Sequence, residues 1–144
     1  MRRITRATAS DAAVVHALDR VAAHRPWSEG SLTSTLALST TTAWLVFDGD
    51  QPSAYLVASV VHGEAEILTL GTHPAHRRQG CAAELLRHAA DHWGVVGVAQ
   101  AFLEVRADNA GAIALYSMNG WVPAGTRSRY YSDGCDAVVM TWEP

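Results

Sequence analysis

The chain has 144 residues, which is enough for one folded domain and short for two. Hydrophobic residues make up 49% of it and charged residues 17%, a composition typical of a globular protein and not of a disordered chain. The formal net charge of −3 excludes an overall basic field for holding nucleic acid, and because the chain has no lysine it cannot carry a Walker-type nucleotide loop.

The sequence also carries no sign of export or membrane insertion. Ser10 and Asp11 interrupt the residues after the basic start of the chain, and no apolar run reaches the roughly 18 residues of a membrane span. Cys81 and Cys135 form neither a disulfide framework nor a metal-binding spacing. We therefore expect a cytoplasmic protein that holds no metal ion and contacts neither membrane nor nucleic acid.

The first part of the chain predicts a strand and two helices. Residues 3–7 have the pattern of a short strand, and Ser10 is expected to cap a helix that ends near His24. The apolar face expected for this helix consists of Val14, Ala17, Leu18 and Val21. Ser28 is then expected to cap a second, shorter helix.

Three strands follow these helices. Residues 42–47, 53–61 and 64–72 are rich in β-branched and aromatic side chains. The turn signals Asp48-Gly49 and His62-Gly63 separate them. This spacing predicts a meander whose third strand leads directly into a polar loop that contains glycine.

Beyond that loop the sequence predicts a helix, a buried strand and another helix. The first helix starts at Gly80 and is expected to end at Gly94. An apolar strand is expected over residues 100–105, and Asn109 is expected to cap the next helix.

A final pair of strands is predicted over residues 121–131 and 135–142. The predicted order is β-α-α-β-β-β-α-β-α-β-β in a single domain, residues 1–144. Because a helix joins the strands at 64–72 and 100–105, these two strands are expected to be parallel. The fold class is therefore α/β (α+β), with a mixed central sheet of about seven strands and helices on both faces.

The start of the helix at Gly80 has the layout of an anion site. Helix N-termini leave backbone N–H groups unpaired and carry about half a positive charge, which favours a phosphate there. The small residues Gly80, Cys81 and Ala82 would let a phosphate approach the backbone closely. Taken alone, the pattern fits an ordinary loop and helix start equally well.

The spacing Arg77-x-x-Gly80-x-Ala82 resembles the pyrophosphate loop of the GNAT superfamily of acetyl-CoA-dependent N-acetyltransferases. The predicted order of helices and strands is similar to the GNAT fold from end to end. Further stretches resemble the RimI branch, bacterial enzymes that acetylate the N-terminal alanine of a small-subunit ribosomal protein. These stretches are residues 26–29, residues 102–109 followed by 112–116, and the pair Tyr130-Tyr131.

The resemblance implies that acetyl-CoA is the cosubstrate and that its parts contact three stretches of this chain. Backbone groups of Leu70, Gly71 and Thr72 would hold the acetyl and pantetheine part, and Asn109 would contact the pantetheine arm. The residues that would bind the pyrophosphate are Arg77, Arg78, Gln79, Gly80, Cys81, Ala82 and Ala83.

The resemblance also implies catalytic and acceptor residues. Glu104 would be the general base and Tyr116 the general acid, which suits a reaction that needs a neutral amine and a protonated leaving thiol. Trp27, Tyr130 and Tyr131 would line a groove for the acceptor peptide. Each catalytic residue also has a plainer interpretation, with Glu104 as a rim carboxylate paired with Arg106 or Arg127 and Tyr116 as a core residue.

The leading hypothesis for function is acetylation of a protein N-terminal amine, with a ribosomal protein as the target. One alternative is an acetyltransferase for small-molecule amines or lysine side chains, and another is a non-catalytic acyl-CoA-binding module. The presence of both Glu104 and Tyr116 argues against the last. His88 and His92 have a metal-ligand spacing of i, i+4, but because no further ligands accompany them we expect a solvated helix face.

Overall fold

The computed structural model describes all residues from 1 to 144. Its strands and helices, in chain order, are β1 (Arg2–Ala7), α1 (Ala12–Ala22), α2 (Glu29–Leu36), β2 (Thr41–Asp48), β3 (Gln51–Val61), β4 (Glu64–Thr72), α3 (Cys81–Val96), β5 (Gln100–Arg106), α4 (Ala110–Met118), β6 (Val122–Arg127) and β7 (Ala137–Trp142). The order predicted from the sequence is confirmed.

The seven strands form one mixed sheet in the order β1-β2-β3-β4-β5-β7-β6. All neighbours are antiparallel except β4 and β5, which are parallel and pair only over Glu64–Glu66 and Gln100–Phe102. Leu68 is an extra residue in β4, because Val57 and Ala58 of β3 face Thr69 and Ile67. Beyond Glu66 the parallel strands diverge, and this opens a gap in the middle of the sheet.

Alternating side chains of the sheet enter two separate apolar clusters. In β2, Trp44 and Val46 face α3 and α4 and join a cluster of 19 buried residues. Ala43 and Leu45 face α1 and α2 and join a cluster of 10. The helices therefore cover both faces of the sheet, as predicted, and the layer that holds α3 and α4 has the larger core.

The predicted start and end of α1 are wrong, and its predicted apolar face is right only in part. A short 3-10 turn capped by Thr8 precedes the helix, so Ser10 is not its cap, and α1 ends at Ala22 instead of near His24. The buried residues of α1 are Ala12, Val15, Leu18 and Asp19. Of the predicted face, Leu18 is buried and Val14 packs partly buried against the smaller cluster, whereas Ala17 and Val21 border a shallow hollow with Pro52 and His73. The helix carries two apolar stripes, and helical periodicity alone does not tell which one packs on the sheet.

Two other predicted boundaries are wrong. Helix α3 runs through Gly94, which costs about 1 kcal/mol relative to alanine, and ends where Gly97 takes a left-handed φ of 83°. The last two strands are shorter than predicted, since β6 ends at Arg127 and β7 begins at Ala137. Arg129, inside the first predicted strand, has a φ of 51°, which lies outside the extended region. Residues 128–136 consequently form a loop between β6 and β7.

Candidate active site

A cavity of about 220 Å³ lies where β4 and β5 diverge. Its walls come from the connection that follows α1, from β4, from β5 and the start of α4, and from the loop between β6 and β7. The lining residues are Ala22, Ala23, His24, Arg25, Ile67, Leu68, Thr69, Leu70, Leu103, Glu104, Val105, Arg106, Asn109, Tyr116 and Tyr131. The structure thus brings Leu70, Glu104, Asn109, Tyr116 and Tyr131, all predicted site residues, to one cavity.

Glu104 projects from β5 into this cavity and forms an ion pair. The side chain is 16% exposed, and the Nε of Arg127 lies 3.0 Å from its Oε1. Arg127 is the partner proposed in the plainer interpretation of Glu104, whereas Arg106 pairs with other carboxylates. The Arg127 side chain is 56% exposed, so water competes for this contact and the pair is weak.

Glu66 is a second carboxyl group near Glu104, and sequence reasoning missed it. It lies in register with Phe102 of β5, two residues before Glu104. Partial burial, and then the charge of Glu104, raise the pKa of Glu66 above its usual value. No sequence pattern singles out Glu66, because its proximity to Glu104 depends on the register of β4 against β5.

Tyr116 reaches the cavity from the middle of α4. The residue is 8% exposed, and burial raises the pKa of its phenol to about 12. Its hydroxyl donates no hydrogen bond to the protein and remains available to a ligand. The side chain of Asn109 caps α4 by accepting a hydrogen bond of 3.1 Å from the N–H of Ala112, as predicted.

The loop before α3 and the first turn of this helix form a cradle for an anion. Gly80 precedes the helix with a φ of 83°, and Arg78 has a φ of 63°. The first helical hydrogen bond is donated by the N–H of Glu84 to Gly80, so the N–H groups of residues 81–83 remain free. These donors and the exposed side chains of Arg77, Arg78 and Gln79 fit a pyrophosphate group.

Two details of this cradle differ from the expectation. Cys81 is 2% exposed and its Sγ lies 3.9 Å from the Oγ of Ser53, so its side chain faces the core and only its backbone can meet a phosphate. Arg2 of β1 reaches the same helix start, where it donates to the carbonyl of Gln79 and pairs with Glu84 at 2.6 Å. No local sequence motif predicts this contact of Arg2, because Arg2 lies far from the loop in the sequence.

Leu70, Gly71 and Thr72 do not contribute equally. Leu70 lines the cavity, whereas Gly71 and Thr72 do not. A Cβ at Gly71 would lie 2.7 Å from the hydroxyl of Tyr55 and 2.8 Å from the Cβ of Ala22. Close packing of β4 against α1 therefore accounts for the glycine at this position.

The predicted acceptor residues are separated in the structure. Tyr131 lines the cavity, and Tyr130 stacks edge-on against it with 5.2 Å between ring centroids. Trp27 is not part of the cavity, because it packs against the smaller apolar cluster. Its backbone N–H donates to the buried carboxylate of Asp19 at 2.7 Å.

Asp19 connects the two sides of the cavity and was also missed. It is fully buried, and besides Trp27 it accepts hydrogen bonds from the hydroxyls of Tyr55 at 2.5 Å and Thr69 at 3.0 Å. Thr69 belongs to the cavity wall on β4, and Trp27 to the connection after α1. In the sequence, Asp19 is an acidic residue on the same stripe of α1 as Ala12 and Val15. Because the prediction assigned a different stripe to the core, it did not identify Asp19 as buried.

Other features of the structure do not enter the site. His88 and His92 both pack edge-on against Trp44, with centroids 5.4 and 5.5 Å away. No three histidine, cysteine or acidic side chains lie close enough together to hold a metal ion. None of the helices combines the length and the apolar character required to cross a membrane.

Comparison with known proteins identifies similar chains across nearly the full length. Residues 12–121 match the family model described as acetyltransferase (GNAT) family. The [ribosomal protein bS18]-alanine N-acetyltransferase of Escherichia coli K12 is 34% identical over 143 residues, which covers 97% of this chain and 96% of that enzyme.

Solved structures agree with this result. The crystal structure of the ribosomal-protein-S18-alanine N-acetyltransferase from Escherichia coli superposes with a TM-score of 0.93 at 32% identity, covering 99% of this chain and 94% of that one. Arabidopsis thaliana NAA60 in complex with acetyl-CoA superposes with a TM-score of 0.90 at 16% identity, covering 99% and 98%. The second likeness shows a shared fold only.

Proposed function

Because this chain belongs to the acetyltransferase (GNAT) family, we propose that it acetylates the N-terminal α-amine of a protein, with the N-terminal alanine of ribosomal protein bS18 as the acceptor. The observation that carries this proposal is the 34% identity with the Escherichia coli enzyme over 97% of this chain. A match of that length includes both segments beside the cavity, the connection after α1 and the loop 128–136. The proposal includes a cytoplasmic location, where ribosomal proteins are made.

In this proposal Glu104 accepts the proton that the ammonium group of the acceptor must lose before it can attack. The pair with Arg127 is half exposed, and pairs of this kind contribute at most about 1 kcal/mol. A substrate ammonium can therefore replace the Arg127 guanidinium beside Glu104 at little cost.

In this proposal the acetyl group of acetyl-CoA binds between β4 and β5, and the pyrophosphate of acetyl-CoA binds at the start of α3. Beyond Glu66, β4 has no hydrogen-bonding partner on the β5 side, so its backbone groups near Leu70 are available to the acetyl oxygen. The free N–H groups of residues 81–83 are the donors for the pyrophosphate.

Tyr116 serves the departing sulfur. With a pKa of about 12 its hydroxyl stays protonated at neutral pH and can donate a hydrogen bond to the thiolate. The bond from nitrogen to the acetyl carbon forms as the carbon–sulfur bond breaks. Glu104 passes the ammonium proton to solvent before the attack and then takes the second proton, which the nitrogen loses as the amide forms. The sulfur takes the proton of Tyr116, which solvent restores.

The test is thiol release from acetyl-CoA with three acceptors. One is a hexapeptide with a free N-terminal alanine, the second is its acetyl-blocked form with an internal lysine, and the third is a small diamine. At pH 7.5 an α-amine with a pKa near 7.9 is about a quarter to a third neutral, whereas a lysine amine is only about 0.1% neutral. We expect the free N-terminus to be preferred, and preference for the blocked lysine peptide would refute the proposal.

A pH profile of Glu104→Gln tests the base. With the N-terminal peptide, kcat/KM should fall strongly near pH 7 and recover in part above about pH 8, because solvent has then removed the proton. Glu143→Gln, the same exchange at an exposed carboxylate that does not line the cavity, is the matched control. A mutant profile parallel to that of wild type from pH 6 to 9 would argue against Glu104 as the base.

A further inference from the structure

Arg106 joins the end of β5 to two aspartates from different loops. Its Nε and Nη2 donate to Asp108 at 3.1 and 3.0 Å, and its Nη1 and Nη2 donate to Asp133 at 3.3 and 2.7 Å. The side chain of Arg106 is only 13% exposed although both partners are largely exposed. A guanidinium held by two forked pairs has a fixed orientation, which a lysine could not reproduce.

Asp133 belongs to the loop of residues 128–136, which we term the acceptor loop. The same guanidinium lies 5.0 Å from the ring centre of Tyr131, the residue of this loop that lines the cavity. The N–H of Ala107 adds a hydrogen bond of 2.9 Å to the carbonyl of Asp136 at the end of the loop. Three contacts thus join the loop to Arg106, the last residue of β5, and to Ala107, the residue after it.

The acceptor loop has one further tie to the neighbouring strands, through Tyr130: its ring centre lies 5.9 Å from the guanidinium of Arg127 on β6, and the adjacent Glu104 carboxylate raises the pKa of its phenol. Its remaining hydrogen bonds close its own turns, such as those from Gly134 to Tyr131 and from Tyr131 to Cys135. Residues 128–130 and 132–134 are exposed. The ordering of Tyr131 beside the cavity consequently depends on the contact with Arg106.

We propose that Arg106 is a positioning residue that holds the acceptor loop, and with it Tyr131, in the arrangement that binds the acceptor amine. This role rests on the proposed function for its substrate, although the ordering of the loop can be measured without any substrate. Arg106 therefore affects binding of the acceptor peptide. It does not affect binding of acetyl-CoA, whose cradle lies at the start of α3.

The ion pair between Arg106 and Asp133 is fully charged from pH 5 to 9. The Arg106 guanidinium, together with the N–H of Cys135, lowers the pKa of Asp133 to about 2. A lowered carboxyl pKa stabilises the fold above the ordinary value near 3.8 and loses this effect only as the pH falls toward 2. The contribution is therefore complete between pH 5 and 9.

Limited proteolysis of the folded protein measures the ordering of the loop. The chain has no lysine, so trypsin cleaves it only at arginines, and Arg129 lies in the acceptor loop. We expect cleavage after Arg129 to be at least about tenfold faster in Asp133→Asn than in wild type. Asp91→Asn, which removes one exposed carboxylate with no ion-pair partner on α3, is the control for charge and should behave as wild type.

Kinetics with an N-terminal alanine peptide measure the consequence for the acceptor. Asp133→Asn should raise the KM for the peptide at least about fivefold, equally at pH 6 and 8, with the KM for acetyl-CoA unchanged. Arg106→Lys should do the same, and the double variant should be no worse than either single one. Tyr131→Leu removes the ring that lies beside the guanidinium, so it should also raise the KM for the peptide while the KM for acetyl-CoA stays unchanged.

Asp108→Asn discriminates positioning of the loop from general support of β5. This variant weakens the pair between Arg106 and Asp108 and leaves the pair between Arg106 and Asp133 in place. It should therefore change the cleavage rate and the KM for the peptide less than Asp133→Asn does. Equal effects of the two variants, or an unchanged cleavage rate in Asp133→Asn, would overturn the inference. If wild type acetylates no peptide, the proposed function fails while the trypsin result still decides the ordering role of Arg106.

Discussion

Removing the buried carboxylate of Asp19 should destabilise the protein more than removing any one of its hydrogen-bond partners. Asp19→Ala leaves three donors without an acceptor: the Tyr55 hydroxyl, the Thr69 hydroxyl and the Trp27 N–H. Hydrogen bonds to charged groups contribute about 1.5–3 kcal/mol each. Because Thr69 and Trp27 are only partly buried, water can replace part of theirs, and we expect a loss of about 3–5 kcal/mol.

Tyr55→Phe is the matched control for this variant. It removes one hydroxyl and leaves the carboxylate with two donors, so it should cost about 1.5–2 kcal/mol. Asp19→Asn keeps the shape of the side chain and should fall between the two. The effects of Asp19→Ala and Tyr55→Phe should not add in the double variant, because both remove the same contact.

Urea unfolding followed by tryptophan fluorescence gives the free energies of unfolding. The midpoint should fall while the slope m stays constant, and the melting temperature of Asp19→Ala should fall by about 10 °C or more. A loss below about 1.5 kcal/mol, or one no larger than that of Tyr55→Phe, would refute the assignment of Asp19 as the connection between the two sides of the cavity.

Three further predictions concern the ligand and the titrating groups. Acetyl-CoA and desulfo-CoA should both raise the melting temperature of ligand-free protein, because their pyrophosphate binds at the start of α3, and a flat thermal shift would contradict the cradle. Tyr116→Phe should lower kcat about 10²-fold or more while the Kd of acetyl-CoA measured by calorimetry stays within a factor of two; unchanged turnover would assign Tyr116 to packing. The pKa of Glu66 is raised in the folded protein, so ionisation of Glu66 opposes folding once the pH rises through the ordinary pKa of a glutamate. Glu66→Gln should therefore be more stable than wild type at pH 7 but not at pH 4. Urea midpoints at both pH values measure this, with Glu64→Gln at the exposed start of β4 as the control.

The sequence was sufficient for the order of strands and helices because each has local signals. The Asp48-Gly49 turn is an example, since Gly49 takes the left-handed φ of 61° that such a turn requires. Ser28 and Asn109 were identified as caps for the same reason, and both side chains accept the expected backbone hydrogen bond.

The contacts that sequence reasoning missed join residues far apart in the chain. Asp19 is separated from Thr69 by 50 residues, and Arg2 from Cys81 by 79. Such pairs depend on strand register and on which stripe of α1 is buried, and neither is a local property. Glu104 and Tyr116 do reach the same cavity, but their catalytic roles stay predictions until turnover of the variants is measured.

The division of the interior into two unequal clusters has a consequence for how this enzyme can evolve. The cluster of 19 residues supports α3 and its anion cradle, whereas the cluster of 10 supports α1 and α2 and so the connection after α1 that forms one wall of the cavity. Substitutions in clusters separated by a sheet share few partners, so their effects on stability should be nearly independent. The wall formed by the connection after α1 can therefore change through the smaller layer while the stability of α3 and its anion cradle is retained.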